Sequence, residues 1–254
     1  MQEITLLEML KSGVHFGHQK KYWHPKMKPY IHTNRAGLYI IDLEKTEVKL
    51  KEALEYIKKV VSQNSKILFV STKRQAHDIV KKTALEVGMP YATDKWIGGT
   101  LTNFDNIKKL VNRLKDLRKK KEKGELEKYT KREQLKMDEE MEYLELSVGG
   151  IQDMEKMPAA LFIIDMKKEK TAVREATKMN IPIIAMCDTN VNPELADYPI
   201  PSNDDATKSI KLIVGAIQSA IKDGQDEKTS STKVSSSTNI KADKSEDKSA
   251  KIDK

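Results

Sequence analysis

The chain has 254 residues, 38% of them hydrophobic and 33% charged, enough for one large α/β domain or a domain with an appendage under a densely charged surface. Its net charge of +8 and pI of about 9.2 suit a polyanionic partner such as RNA, DNA or an anionic membrane surface, although a lysine-rich proteome gives the same sign. A single cysteine, Cys187, excludes a disulfide within the chain, and no run reaches the roughly 18 apolar residues of a membrane helix.

The opening residues MQEITLLEMLKSG lack a basic start followed by an apolar run, so no signal peptide is expected and a cytoplasmic protein without a membrane partner is. Residues 4–10 read as a short amphipathic helix, and residues 13–35 as a loop-rich basic segment. Strand–helix units follow. Strands are predicted at 38–41, 67–70, 161–164 and 181–186, and helices at 43–63, 73–87, 168–179 and 203–222. The strands are short continuous apolar runs, which suit a parallel sheet buried on both faces. Alternating β and α units imply right-handed crossovers and a Rossmann-like doubly wound α/β sheet. Asp42, Ser71, Asp165 and Asp188 stand where strands hand over to helices or turns, as N-caps would.

Residues 103–148 break this rhythm. Ile107, Leu110, Leu114 and Leu117 repeat at 3-4-3 spacing, and Met137, Met141, Leu144 and Val148 at 4-3-4 spacing. These are coiled-coil seams. Gly124 lies between them, and Thr130 with Glu133 forms a capping box, so an inserted antiparallel helical hairpin is expected. The first arm is strongly basic and the second acidic, so the arms can pair; the run Arg118, Lys119, Lys120, Lys121 near the tip exceeds what pairing needs. From Gln225 the chain carries no aromatic residue and few aliphatic ones, and should be disordered. The expected organisation is a sheet domain over 1–102 and 149–224, a hairpin over 103–148, and a charged tail over 225–254.

Four groups of residues are candidates for chemistry. Lys20, Lys21, Lys26, Lys28 and Arg35 lie in a segment with no acid, interleaved with Tyr22, Trp23, His24 and Tyr30. Cations contact phosphates, and aromatic faces stack on bases or anchor a loop. The four histidines of this segment match no standard zinc spacing, so no metal is expected. Lys95 to Asn103 (KWIGGTLTN) is neither GxGxxG nor a P-loop, and reads as a tight turn into the hairpin. Asp165 and Asp188 read as caps or turn-makers in preference to a catalytic pair. Ser71-Thr72-Lys73-Arg74, at a helix N-terminus, reads as a seat for RNA phosphate.

These segments, in this order, resemble the family of small-subunit ribosomal protein two in its bacterial form. The resemblance is carried by Gly13-Val14-His15-Phe16-Gly17-His18, Trp23-His24-Pro25-Lys26-Met27, Gly37 to Leu43, Phe69 to Lys73, Gly149-Gly150-Ile151 and Cys187-Asp188-Thr189-Asn190, and most specifically by Trp96 to Phe104. It covers roughly residues 3–222. It implies a Rossmann-like sheet with an inserted hairpin, a seat between the head and body of the small subunit, contact with small-subunit ribosomal RNA, and no catalysis, cofactor or homo-oligomer. It also implies neighbouring small-subunit proteins, among them ribosomal protein one, which handles messenger RNA. The alternative from the sheet alone is a nucleotide- or sugar-phosphate-binding enzyme, which would need a glycine-rich phosphate loop that the sequence lacks.

Overall fold

The computed structural model describes residues 4–242, with side chains through residue 227. A short helix, α1 (Leu6–Lys11), opens behind a Thr5–Glu8 capping box. Strands β1 (Phe16–Gln19), β2 (Ile31–Arg35) and β3 (Leu38–Ile41) follow, with two 3-10 turns at Lys20–Tyr22 and Pro25–Tyr30. Next come α2 (Leu43–Ser62), β4 (Ile67–Val70), α3 (His77–Val87) and β5 (Tyr91–Ala92). Helices α4 (Phe104–Glu122) and α5 (Lys131–Val148) interrupt the alternation before β6 (Ala160–Ile164), α6 (Lys170–Lys178), β7 (Ile183–Cys187), β8 (Tyr198–Pro201) and α7 (Thr207–Ala242).

The main sheet has five parallel strands in the order β5-β4-β6-β7-β8. Its central runs, ILFV, ALFII and IIAMC, are buried along their whole length. Side chains alternate between two cores. Ile67, Phe69, Phe162 and Ile164 join the core under α1, α2, α3 and α7. Leu68, Val70, Leu161 and Ile163 join the core under α4, α5 and α6. Each such burial contributes about 1.5–3 kcal/mol before chain entropy is charged against it. The chain leaves β4 for β5 on one side and returns to β6 on the other, so the carboxyl ends of β4 and β6 flank the point where ligands sit in doubly wound sheets.

Three departures from the sequence reading matter. First, β3 is not in the parallel sheet; it is the centre of a separate antiparallel sheet, β1-β3-β2. Of its four residues only Ile41 is buried, and the two-residue link Ala36-Gly37, with φ of 50° and 80°, makes the tight hairpin that an antiparallel pair needs. The basic segment is therefore two strands and two 3-10 turns rather than a loop. Second, α3 starts at His77, so residues 71–74 do not form a helix N-terminus. Third, α7 passes the expected end at 222, and residues 225–242 hold no Gly or Pro to stop it. Gln225 donates to the Val87 carbonyl at 2.9 Å and Lys58 pairs with Glu227, tying the helix to its neighbours. The helix thus runs on into the segment expected to be disordered; residues 243–254 lie outside the described residues.

Helices α4 and α5 are joined through Gly124, at φ 69°, and α5 opens on the Thr130–Glu133 capping box. Ile107, Val111, Leu114, Leu117, Leu144 and Val148 are buried, with Leu110, Met137 and Met141 partly so. Ion pairs link the arms: Arg113 with Glu140 at 2.9 Å, Lys121 with Asp138 at 2.8 Å, and Arg118 with Glu145.

Candidate nucleic-acid interface

The carboxyl edge of the sheet gathers a polar cluster. Lys73, three residues past β4, reaches Asp204 Oδ1 at 2.6 Å, Asp205 Oδ1 at 2.6 Å and Asp165 Oδ2 at 3.4 Å. Lys73 is 8% exposed, so burial alone would lower its pKa; the carboxylates, led by Asp204, outweigh burial and raise it. This corrects its assignment to RNA phosphate: its ammonium is spent on three carboxylates. The neighbouring Thr72 donates its N–H and hydroxyl to Glu169 Oε1 at 2.7 and 2.6 Å, so a built-in carboxylate occupies the place proposed for an anion. Arg74 is exposed.

Asp204 is fully buried, and its carboxyl pKa is raised by burial and by Asp188 and Asp165, with Lys73 offsetting part. Asp165 does not cap α6. It sits at φ 64° and its carboxylate accepts the Lys168 N–H at 3.0 Å, tightening the turn before the helix. Asp188 Oδ1 accepts the Thr189 N–H at 2.5 Å and faces His18 Nδ1 at 3.0 Å. The bond to Asp188 raises the His18 pKa against the lowering effect of burial. Of the caps expected at strand ends, Asp42 is one: it accepts the Glu44 N–H at 3.1 Å.

The basic segment is docked on the turn after β7. His18 N–H donates to Thr189 Oγ1 at 2.8 Å, and His24 N–H to the Thr189 carbonyl at 2.7 Å. The approach is close enough that a Cβ on Gly17 would stand 2.5 Å from Thr189 Cγ2. Trp23 and His24 are half-buried anchors: the Trp23 ring lies 5.0 Å from Tyr39, and His24 Nδ1 accepts the Lys26 N–H at 3.2 Å. Lys26 pairs with Glu194 at 2.8 Å. Lys20, Lys21, Lys28 and Arg35 are exposed and, among the described residues, have no carboxylate partner; Lys21 lies over the Tyr22 ring at 4.7 Å.

The KWIGGTLTN turn is organised by Glu175, on α6. Its carboxylate accepts the Trp96 indole N–H at 3.1 Å and the backbone N–H groups of Gly99, Leu101 and Thr102 at 2.8, 2.9 and 3.2 Å. Lys95 is exposed, with its ammonium over the Tyr143 ring at 5.0 Å. On α4, Arg118 also donates to Gln152 Oε1 at 2.8 Å, so Arg118 and Lys121 are engaged within the fold. Lys119, Lys120 and Lys123 have no carboxylate partner among the described residues. The sequence reading missed Glu175, Glu169, Asp204 and Asp205, and weighed His18 only as one of the segment's four histidines; their partners lie far along the chain, so no local spacing marks them.

Among the described residues, no helix is long and apolar enough to cross a membrane. A family model described as "Ribosomal protein S2" matches residues 9–224. The chain is 47% identical over 224 residues to proteins named "Small ribosomal subunit protein uS2" from Mycobacteroides abscessus and Mycolicibacterium vanbaalenii. Each alignment covers 88% of this chain, and 81% and 82% of the two relatives respectively.

Proposed function

The chain belongs to the ribosomal protein S2 family, and from that membership we propose that it is a structural protein of the small ribosomal subunit, held there by small-subunit ribosomal RNA. The observation that carries this reading is the 47% identity over 224 residues, beside a family model whose match to residues 9–224 spans both sheets and the inserted helices. The RNA contact is supported by the exposed, carboxylate-free cations Lys20, Lys21, Lys28 and Arg35 on the small antiparallel sheet and its turns, and by Lys119, Lys120 and Lys123 on α4 and its end. Such cations displace condensed counterions from a phosphate backbone at little cost to the fold. Docking of ribosomal protein one, which the family resemblance implies, belongs to the same reading.

We assign the chain no catalysis. A nucleotide-binding enzyme of this architecture would seat phosphates at the switch point between β4 and β6. Here that edge carries Asp165, Asp188, Asp204 and Glu169, and the buried cation there, Lys73, is neutralised by aspartates. Like charge would repel a phosphate. The test is sedimentation of the purified full-length chain with small subunits stripped of this protein. One copy per subunit is expected in the subunit fraction; a chain that stays at the top of the gradient would overturn the reading.

A further inference from the structure

We propose that the outer face of α6 is a second seat for RNA, one that takes the phosphate backbone of a double-helical stretch without reading its sequence. Residues 167–178 hold five cations and two acids. Both acids are turned inward: Glu169 is 4% exposed and bonded to Thr72, and Glu175 is 8% exposed and bonded to the turn before α4. All five cations are exposed. Lys168 donates to the Thr72 carbonyl at 2.6 Å, while Lys167, Lys170, Arg174 and Lys178 have no carboxylate partner among the described residues. The face therefore shows solvent more positive charge than the sequence total gives, and a phosphate chain is the partner that complements it. Solubility alone does not demand this pattern, since on α2 the surface lysines Lys49, Lys51 and Lys58 each face a glutamate.

The geometry suits a backbone rather than bases. Lys170, Arg174 and Lys178 follow one another at four-residue steps, so they climb one side of the helix about 6 Å apart and within about 80° of arc. Ala172, Val173 and Ala176 bury the opposite side in the core under α4 and α5, and the bonds of Glu175 pin the helix to the turn, so the row stands on a fixed backbone. The other exposed residues of 170–180 are Thr171, Thr177, Met179 and Asn180. No aromatic ring stands among them for an unpaired base to stack on, in contrast to the exposed Tyr22 of the basic segment. A straight row of cations with a hydroxyl beside it, that of Thr171, meets phosphates and 2′-hydroxyls, which a duplex presents at regular intervals. Such a seat rests on the RNA-binding function and gives it a second face.

The test measures binding of the full-length chain to a labelled RNA duplex of arbitrary sequence, by fluorescence anisotropy across a salt series. Replacing Lys170, Arg174 and Lys178 with alanine should make the slope of log affinity against log salt shallower by roughly two to three units, close to one per phosphate contact. Melting should be unchanged, since alanine favours helix at exposed positions. Replacing Lys49, Lys51 and Lys58 with alanine removes the same charge from α2 and should change the slope far less. With one strand of the duplex as the probe, the loss in the α6 variant should be smaller than with the duplex. Should the triple variant melt early, Arg174→Glu alone carries the same readout and should make the slope shallower by about one unit. No loss in the α6 variant, an equal loss in both triple variants, or a loss on the single strand as large as on the duplex overturns the seat and leaves the RNA-binding function in place. A wild type that binds ribosomal RNA but not this duplex also overturns the seat alone, and one that binds neither overturns both. Weakened incorporation into small subunits with an unchanged RNA slope overturns it too, and assigns the face to an acidic protein.

Discussion

Glu175 accepts the indole N–H of Trp96 at 3.1 Å, and through that carboxylate a helix of the sheet domain holds the turn that leads into α4. The same two oxygens take three backbone N–H groups of the turn. A turn with two successive glycines has little stiffness of its own, so its shape is imposed by an acceptor from outside it.

Glu175→Gln should therefore destabilise the chain by about 1–3 kcal/mol, because the neutral amide gives up charge-assisted bonds and brings an NH2 among donors. Burial raises the Glu175 pKa, but the N–H donors led by Leu101 and Gly99 outweigh it, so the folded value is depressed. A depressed carboxylate contributes stability above its unfolded pKa, and that stability is lost as pH falls through the folded pKa. The wild-type advantage should be full near neutrality and shrink below the ordinary glutamate range. Denaturant melts of both proteins across an acid series measure it; a difference that does not vary with pH refutes the assignment.

Lys73→Met separates the two roles considered for that residue. With the ammonium gone, Asp165, Asp204 and Asp205 face one another at a largely buried edge, and breaking a buried pair costs about 3–5 kcal/mol. The variant should melt well below the wild type at neutral pH and recover part of the loss under acid, where the aspartates take up protons. A phosphate-contacting lysine would behave differently, leaving the melt unchanged and lowering only the salt dependence of RNA binding.

The legible parts of this fold were those with dense local signals. The runs ILFV and ALFII read as buried strands because a parallel strand is apolar on both faces, and the heptad spacing of Leu114, Leu117, Leu144 and Val148 picked out residues that the structure buries. The weak signals lay at edges. β5 has two residues, and β8 carries Pro199 and Pro201, which an edge strand tolerates and a propensity reading rejects. β3 was placed in the wrong sheet because an apolar run of four does not say what it pairs with. Charge was legible as a total but not as a pairing: Lys73 and Lys20 look alike in sequence, and only the fold brings aspartates to one of them.

Lys20, Lys21, Lys28 and Arg35 carry the prediction for the basic segment. Each phosphate contact removed should reduce the slope of log affinity against log salt by about 0.7–0.9. The four-alanine variant should bind ribosomal RNA with a slope shallower by roughly three units, with little change in melting because exposed substitutions stay within about 0.5 kcal/mol each. Filter binding from low to physiological salt gives the slope. An unchanged slope removes this surface from the interface.

The inserted helices allow a sharper experiment than removing their end. Arg118 donates to Glu145 and Gln152, and Lys121 to Asp138, so cutting the arms at residue 118 would disturb packing as well as charge. Lys119, Lys120 and Lys123 have no carboxylate partner among the described residues and lie on α4 and at its end, beside Gly124. Replacing these three with alanine should leave melting nearly unchanged, since Ala also favours helix. It should weaken incorporation into small subunits at physiological salt. Arg118→Ala should do the reverse, lowering stability by about 1 kcal/mol through lost hydrogen bonds while leaving most of the incorporation intact at temperatures where the fold holds. Competitive incorporation against the wild type, scored by mass spectrometry of gradient-purified subunits, reads both. If the triple variant competes equally with the wild type, these lysines serve solubility and the arm does not touch RNA.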